Sequence, residues 1–113
     1  MAPFRPHERI RRRADFQRVY ENGSRFHSRY STLFIWPNGS QVGRLGIAAT
    51  KKLGGAVERN RAKRLIREVF RLNKLAPGFD VVVIPKRDLL DASLIALELD
   101  YRNLLARRVR QSG

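Results

Sequence analysis

The chain contains no cysteine. Zinc fingers, iron–sulfur clusters, thiol catalysis and a disulfide framework are thereby excluded. No stretch approaches the roughly 18 consecutive apolar residues of a membrane-spanning helix, so no membrane partner is expected. Acids are scarce: 10 Asp and Glu stand against 24 Lys and Arg, a formal net charge of +14. The opening MAPFRPHERIRRR is basic but leads into no apolar segment, so it does not read as a secretory signal. A cytoplasmic location is the default expectation.

What is present points to a polyanion. Self-repulsion at +14 destabilises a compact state, and nucleic acid relieves it. Arg outnumbers Lys by 19 to 5. The planar guanidinium fork suits phosphates, base edges and stacking, whereas Lys would serve equally well for solubility. The length of 113 residues and an apolar content of 42% suit a single RNA-binding domain over 1–113. Residues 1–10, with Pro3 and Pro6, read as a flexible basic arm.

Residues 11–23 read as a short helix, with Phe16, Val19 and Tyr20 at i, i+3, i+4 and Gly23 as its cap. Residues 25–40 read as strand, closed by a PNGS turn, with a short extra strand near 25–27. Alternation places Tyr30, Thr32, Phe34 and Trp36 on one face and Ser31, Leu33 and Ile35 on the other. RLGIAAT (44–50) reads as a second strand and a hairpin partner of the first. A helix over 56–75, a buried strand VVVI at 81–84 and an amphipathic helix over 91–110, capped by Asp91 or Ser93, complete the order. That order predicts an α+β, two-layer domain.

The segment 51–74 carries nine basic and two acidic residues, half the net charge of the chain. At 100° per residue, Ala62, Leu65, Ile66, Val69, Phe70 and Leu72 fill an arc of about 160°, and Arg59, Lys63, Arg64, Arg67, Arg71 and Lys74 one of about 140°. Like charges at i, i+4 repel, and Arg59 and Arg61 oppose the positive end of the helix dipole. A phosphate backbone turns both costs into attraction. Asn60 falls within the basic arc. Its amide donates and accepts directionally, which suits register on a shaped RNA or readout of a base edge.

KKLGGAVERNRAKRLIREVFR resembles the signature of the bacterial ribonuclease P protein family at Lys51, Lys52, Gly54, Arg59, Asn60, Arg61, Lys63, Arg64 and Leu65. Asp15, Phe16, Gln17, Tyr20 and Gly23 match a second block, so the resemblance spans essentially the whole chain. It implies an αβββαβα sandwich, ribonuclease P protein-like and similar to domain 2 of ribosomal protein S5, with a left-handed βαβ crossover. It implies the catalytic RNA subunit and precursor tRNA as partners, with the RNA performing Mg²⁺-dependent removal of the 5′ leader. Arg59, Asn60, Arg61, Lys63, Arg64 and Arg67, with Lys51 and Lys52 from the adjoining loop, would then contact the catalytic RNA. Phe16, Tyr20 and Phe34 would line the cleft for the single-stranded leader. Stacking aromatics beside cations suit such a strand, although an aromatic stripe also suits a core.

The residues show no independent catalytic apparatus. His7 lies in the arm and His27 has no motif around it, while Asp88 and Asp91 read as turn and cap residues. The chain is expected to be a non-catalytic subunit, with Mg²⁺ as the cofactor of the RNA and no protein ligand assigned. The alternative is a general RNA-binding or ribosomal protein. A DNA partner is not expected, because the helix-turn-helix spacing is missing. The apolar arc of 56–75 is needed for the core and lacks Trp, which argues against a lipid surface.

Overall fold

A computed structural model describes residues 8–74 and 77–112. Helix α1 is Arg13–Asn22, followed by strands β1 (Ser24–His27), β2 (Ser31–Pro37) and β3 (Arg44–Ile47). Helix α2 is Ala56–Leu72, β4 is Phe79–Pro85, a 3₁₀ turn covers Arg87–Asp91, and α3 is Leu94–Ser112. The expected strand over 25–40 is broken at residues 28–30, and the short extra strand expected near 25–27 is present as β1. Ser28 N–H donates to the Ser31 carbonyl, and Ser28 Oγ accepts from Tyr30 N–H. This tight turn makes β1 and β2 a hairpin. Ser93, one of the two expected caps, accepts from Ala96 N–H through Oγ at 3.1 Å.

The sheet order is β1-β2-β4-β3. The expected β2–β3 hairpin is therefore incorrect: β4 lies between them, antiparallel to β2 and parallel to β3. The physical reason is burial. Val81, Val82 and Val83 are all buried, so water does not reach the backbone of β4, and its N–H and C=O groups need a strand on each side. The hand of the β3–α2–β4 crossover follows from one hydrogen bond. Ala48 N–H donates to the Val83 carbonyl at 2.9 Å, so that carbonyl points at β3. The Val83 side chain faces the other way out of the strand, toward Ile66, Val69 and Phe70 of α2. Seen from its side chain, with the strand running up, the carbonyl of an L-residue lies to the right. The chain thus passes from β3 on the right, through α2 in front, to β4 on the left. The crossover is left-handed, against the usual rule.

Helices α2 and α3 pack on one sheet face, where Phe26, Leu33, Ile35, Leu45, Val81 and Val83 form the main core with Ile66, Phe70, Leu97 and Leu104. Helix α1 lies on part of the other face, where Val19, Val82 and Ile10 are buried against Phe16, Tyr20, Phe34 and Trp36. The alternation expected along β2 holds. Tyr30 departs from it: it lies before β2 and packs on the α2–α3 side.

The last part of the expected arm is not an arm. Residues 1–7 lie outside the described residues, but residues 8–10 are built into the fold. Ile10 N–H donates to the Leu45 carbonyl, Ile10 is buried, and Glu8 pairs with Lys74. Helix α1 meets the sheet at unusually close range. A Cβ on Gly46 would lie 2.8 Å from the Phe16 ring and 3.1 Å from Ile10 Cβ, so the ring rests directly on the β3 backbone.

Candidate RNA-binding surface

Helix α2 buries Ala62, Ile66, Val69 and Phe70, whereas Leu72 lies partly in solvent. The anchoring arc is therefore narrower than the apolar pattern suggests. Lys51 and Lys52 are exposed in the turn before α2. Gly54, at φ 148°, takes a backbone conformation that a side chain would strain. Gly55 caps the start of helix α2 without a side-chain hydrogen bond, and Glu58 is the acid of its first turn.

The cations on α2 fall into two groups. At and just beyond its C-terminus they are neutralised: Arg71 pairs with Glu68, and Lys74, two residues past the helix, pairs with Glu8. Arg59, Arg61, Lys63, Arg64 and Arg67 make no ion pair among the described residues. Asn60 sits exposed among them, its amide likewise without a hydrogen bond among the described residues. Lys63 and Arg67 also line an open groove of about 200 Å³ with Arg9 and Arg11, over a floor of Ile10, Leu45 and Ile47. Partial burial, and then the like charge of Arg9, push the Arg67 guanidinium below its ordinary range. An anion in this groove would reverse that repulsion.

On the opposite sheet face, α1 and β2 bring three aromatics together. Phe16 and Tyr20 lie 6.4 Å apart between ring centroids, and Tyr20 meets Phe34 edge-on at 5.1 Å and 75°. All three are half-buried, so each is both packing and surface. Trp36 is half-buried beside them. Burial pushes the Tyr20 phenol up, so it stays neutral near pH 7. Behind the array, Arg44 donates from Nε and an Nη to the two oxygens of buried Asp80, at 2.8 and 2.6 Å. Asn38 also donates to Asp80, and a second Arg44 Nη lies 3.7 Å from Asp15 of α1.

Two surfaces, one cationic and one aromatic, thus flank a left-handed crossover. The family model described as Ribonuclease P matches residues 4–110. The chain belongs to the ribonuclease P protein family. The Clostridioides difficile ribonuclease P protein component is 38% identical over 101 residues, covering 87% of this chain and 89% of the relative. The Thermotoga maritima component is 41% identical over 88 residues, covering 76% of this chain and 75% of the relative. Solved structures agree. The Staphylococcus aureus RNase P protein superposes with a TM-score of 0.78 at 34% identity, covering 89% of this chain and 94% of that one. The Thermotoga maritima RNase P protein gives 0.79 at 37% identity, covering 88% and 96%. Bacterial ribonuclease P proteins serve tRNA 5′ processing, and that role comes with membership.

Against this family frame, the structure gathers Arg59, Asn60, Arg61, Lys63, Arg64 and Arg67 on α2 and sets Lys51 and Lys52 beside its start. It gathers Phe16, Tyr20 and Phe34 separately, on the other face of the sheet. Arg9 and Arg11 were not anticipated as partners of Lys63 and Arg67. The density of HERIRRR was the available signal, masked by the prolines that precede it. Among the described residues, no group of three or more His, Cys, Asp or Glu could hold a metal, and no helix is long and apolar enough to cross a membrane.

Proposed function

We propose that the chain binds the catalytic RNA of ribonuclease P through Lys51, Lys52, Arg59, Asn60, Arg61, Lys63, Arg64 and Arg67. In this reading it holds the 5′ leader of precursor tRNA against Phe16, Tyr20 and Phe34, in the cytoplasm. The observation that carries it is the split along α2: its C-terminal cations are paired, while five toward its start are without ion pairs among the described residues. That arrangement costs the free protein repulsion and is repaid only by a polyanion.

Hydrolysis of the phosphodiester is assigned to the RNA. Mg²⁺ is assigned to the RNA as part of the same reading, and no protein ligand is named. The protein acts by electrostatics and position. Its cations lower the repulsion between two RNAs, and its aromatic row offers stacking planes to unpaired bases. The test is cleavage of a leader-bearing precursor tRNA by the catalytic RNA at low Mg²⁺, with and without the protein. Stimulation is expected, and no stimulation refutes the proposal.

A further inference from the structure

We propose that Arg25 holds a leader phosphate at the far end of the aromatic row, which makes it a binding residue of the leader track. The inference rests on the leader reading of Phe16, Tyr20 and Phe34. Strand register places it: Arg25 is the direct antiparallel partner of Phe34. Their neighbours Phe26 and Leu33 point into the α2–α3 core, so Arg25 and Phe34 share the α1 face. Paired Cα atoms lie about 4.5–5.5 Å apart. A row therefore crosses the sheet from Phe16 and Tyr20 on α1, through Phe34 on β2, to Arg25 on the edge strand β1.

Chemistry decides what Arg25 does there. It is exposed and makes no ion pair among the described residues. The acids of α1 are engaged elsewhere: Glu21 accepts from Gln17, and Asp15 lies beside Arg18 and Arg44. A base stacked on Phe34 or Tyr20 carries its phosphate to the margin of the stack, and the margin on the β1 side is occupied by a guanidinium. Arg can grip two phosphate oxygens at once.

The test uses the reconstituted holoenzyme with precursor tRNA and with mature tRNA lacking the leader. Arg25→Ala and Arg25→Gln are expected to weaken leader-bearing substrate about three- to tenfold and to flatten its salt dependence by about 0.7, the value for one phosphate contact on a single strand. Arg25→Lys should restore most of the slope. Affinity for mature tRNA and for the catalytic RNA should stay unchanged, as the position is exposed. Equal losses on both substrates, or an unchanged slope, overturn the inference. Phe34→Ala separates the two levels. If it abolishes the preference for leader while Arg25→Ala does not, the Arg25 assignment fails and the cleft reading stands. If neither changes that preference, both fail.

Discussion

The split along α2 makes a quantitative prediction about salt. Arg64 is exposed midway along the helix and makes no ion pair among the described residues; Arg71, two turns on, is paired with Glu68. The Glu68 carboxyl is held below the usual carboxylate range first by its hydrogen bond from Arg71, so both partners are charged at neutral pH. If Arg64 neutralises one phosphate of a duplex, removing it changes the slope of log affinity against log salt by about 0.9. Between 50 and 200 mM salt, a slope change of that size is about a 3.5-fold difference in how much affinity is lost. The full set of five cations would give a slope near −4.5 and a loss of about 500-fold over the same range. Arg71→Ala removes a charge already balanced by Glu68, so its slope should stay within about 0.3 of the parent. Asn60→Ala should weaken binding of the catalytic RNA with no slope change, since it removes directional hydrogen bonds and no charge. The assay is equilibrium binding of labelled catalytic RNA over a salt series for the parent, Arg64→Ala, Arg71→Ala and Asn60→Ala. Arg71→Ala flattening the slope as much as Arg64→Ala would refute the division of the helix into paired and unpaired halves.

The fold offers three further tests. Gly46→Ala would drive a Cβ into the Phe16 ring; about 1–3 kcal/mol of stability should be lost in denaturant unfolding, with weaker binding of leader-bearing substrate, and an unchanged midpoint would show that the ring is not seated there. Arg44→Met strips buried Asp80 of its bidentate partner and leaves it the Asn38 donor. Because Arg44 is itself partly exposed, the cost should sit near the lower end of that for breaking a buried pair, about 3 kcal/mol by chemical denaturation. Tyr101 is buried, and its hydroxyl has no hydrogen-bond partner among the described residues. Tyr101→Phe should therefore be neutral or stabilising by up to about 1 kcal/mol. Burial also raises the Tyr101 phenol in the folded state. Above about pH 10 the unfolded chain loses this proton while the folded chain keeps it, so stability falls with rising pH. Thermal unfolding between pH 9 and 11, scanned for the parent and Tyr101→Phe, should show a shallower decline in the variant.

Local pattern disclosed some of this architecture and not the rest, for identifiable reasons. The 3.6-residue period of α2 and the alternation of Leu33, Phe34, Ile35 and Trp36 are local properties, so both faces were readable. The position of β4 was half readable. Continuous Val81–Val83 burial requires a neighbour on each side, yet the habit of pairing successive strands put β3 beside β2. The hand of the crossover could come only through family resemblance, because both hands bury the same apolar residues. The groove of Arg9, Arg11, Lys63 and Arg67 was hidden, since it depends on Ile10 bonding to Leu45 across 35 positions. Arg25 was hidden for a similar reason. Nothing near it in the chain marks it, and its place beside Phe34 exists only once β1 folds back on β2.

The arrangement of the two surfaces follows from the crossover. Helix α2 must cover the sheet face away from α1, because the apolar residues of β3 and β4 that it needs are Leu45, Val81 and Val83. The aromatics of β2 then remain for α1 on the other face. Edge strand β3 separates the two, and its outer side is where residues 8–10 run on toward α1. Arg9 and Arg11 therefore carry positive charge around the sheet edge, from the unpaired arc of α2 toward the helix that bears Phe16 and Tyr20. In the proposed complex, catalytic RNA on one face and leader on the other would be bridged by that edge. Neutralising Arg9 and Arg11 together should then weaken the coupling between the two RNAs more than it weakens either binary contact, a difference that a double-mutant cycle with Arg64 and Phe34 measures directly.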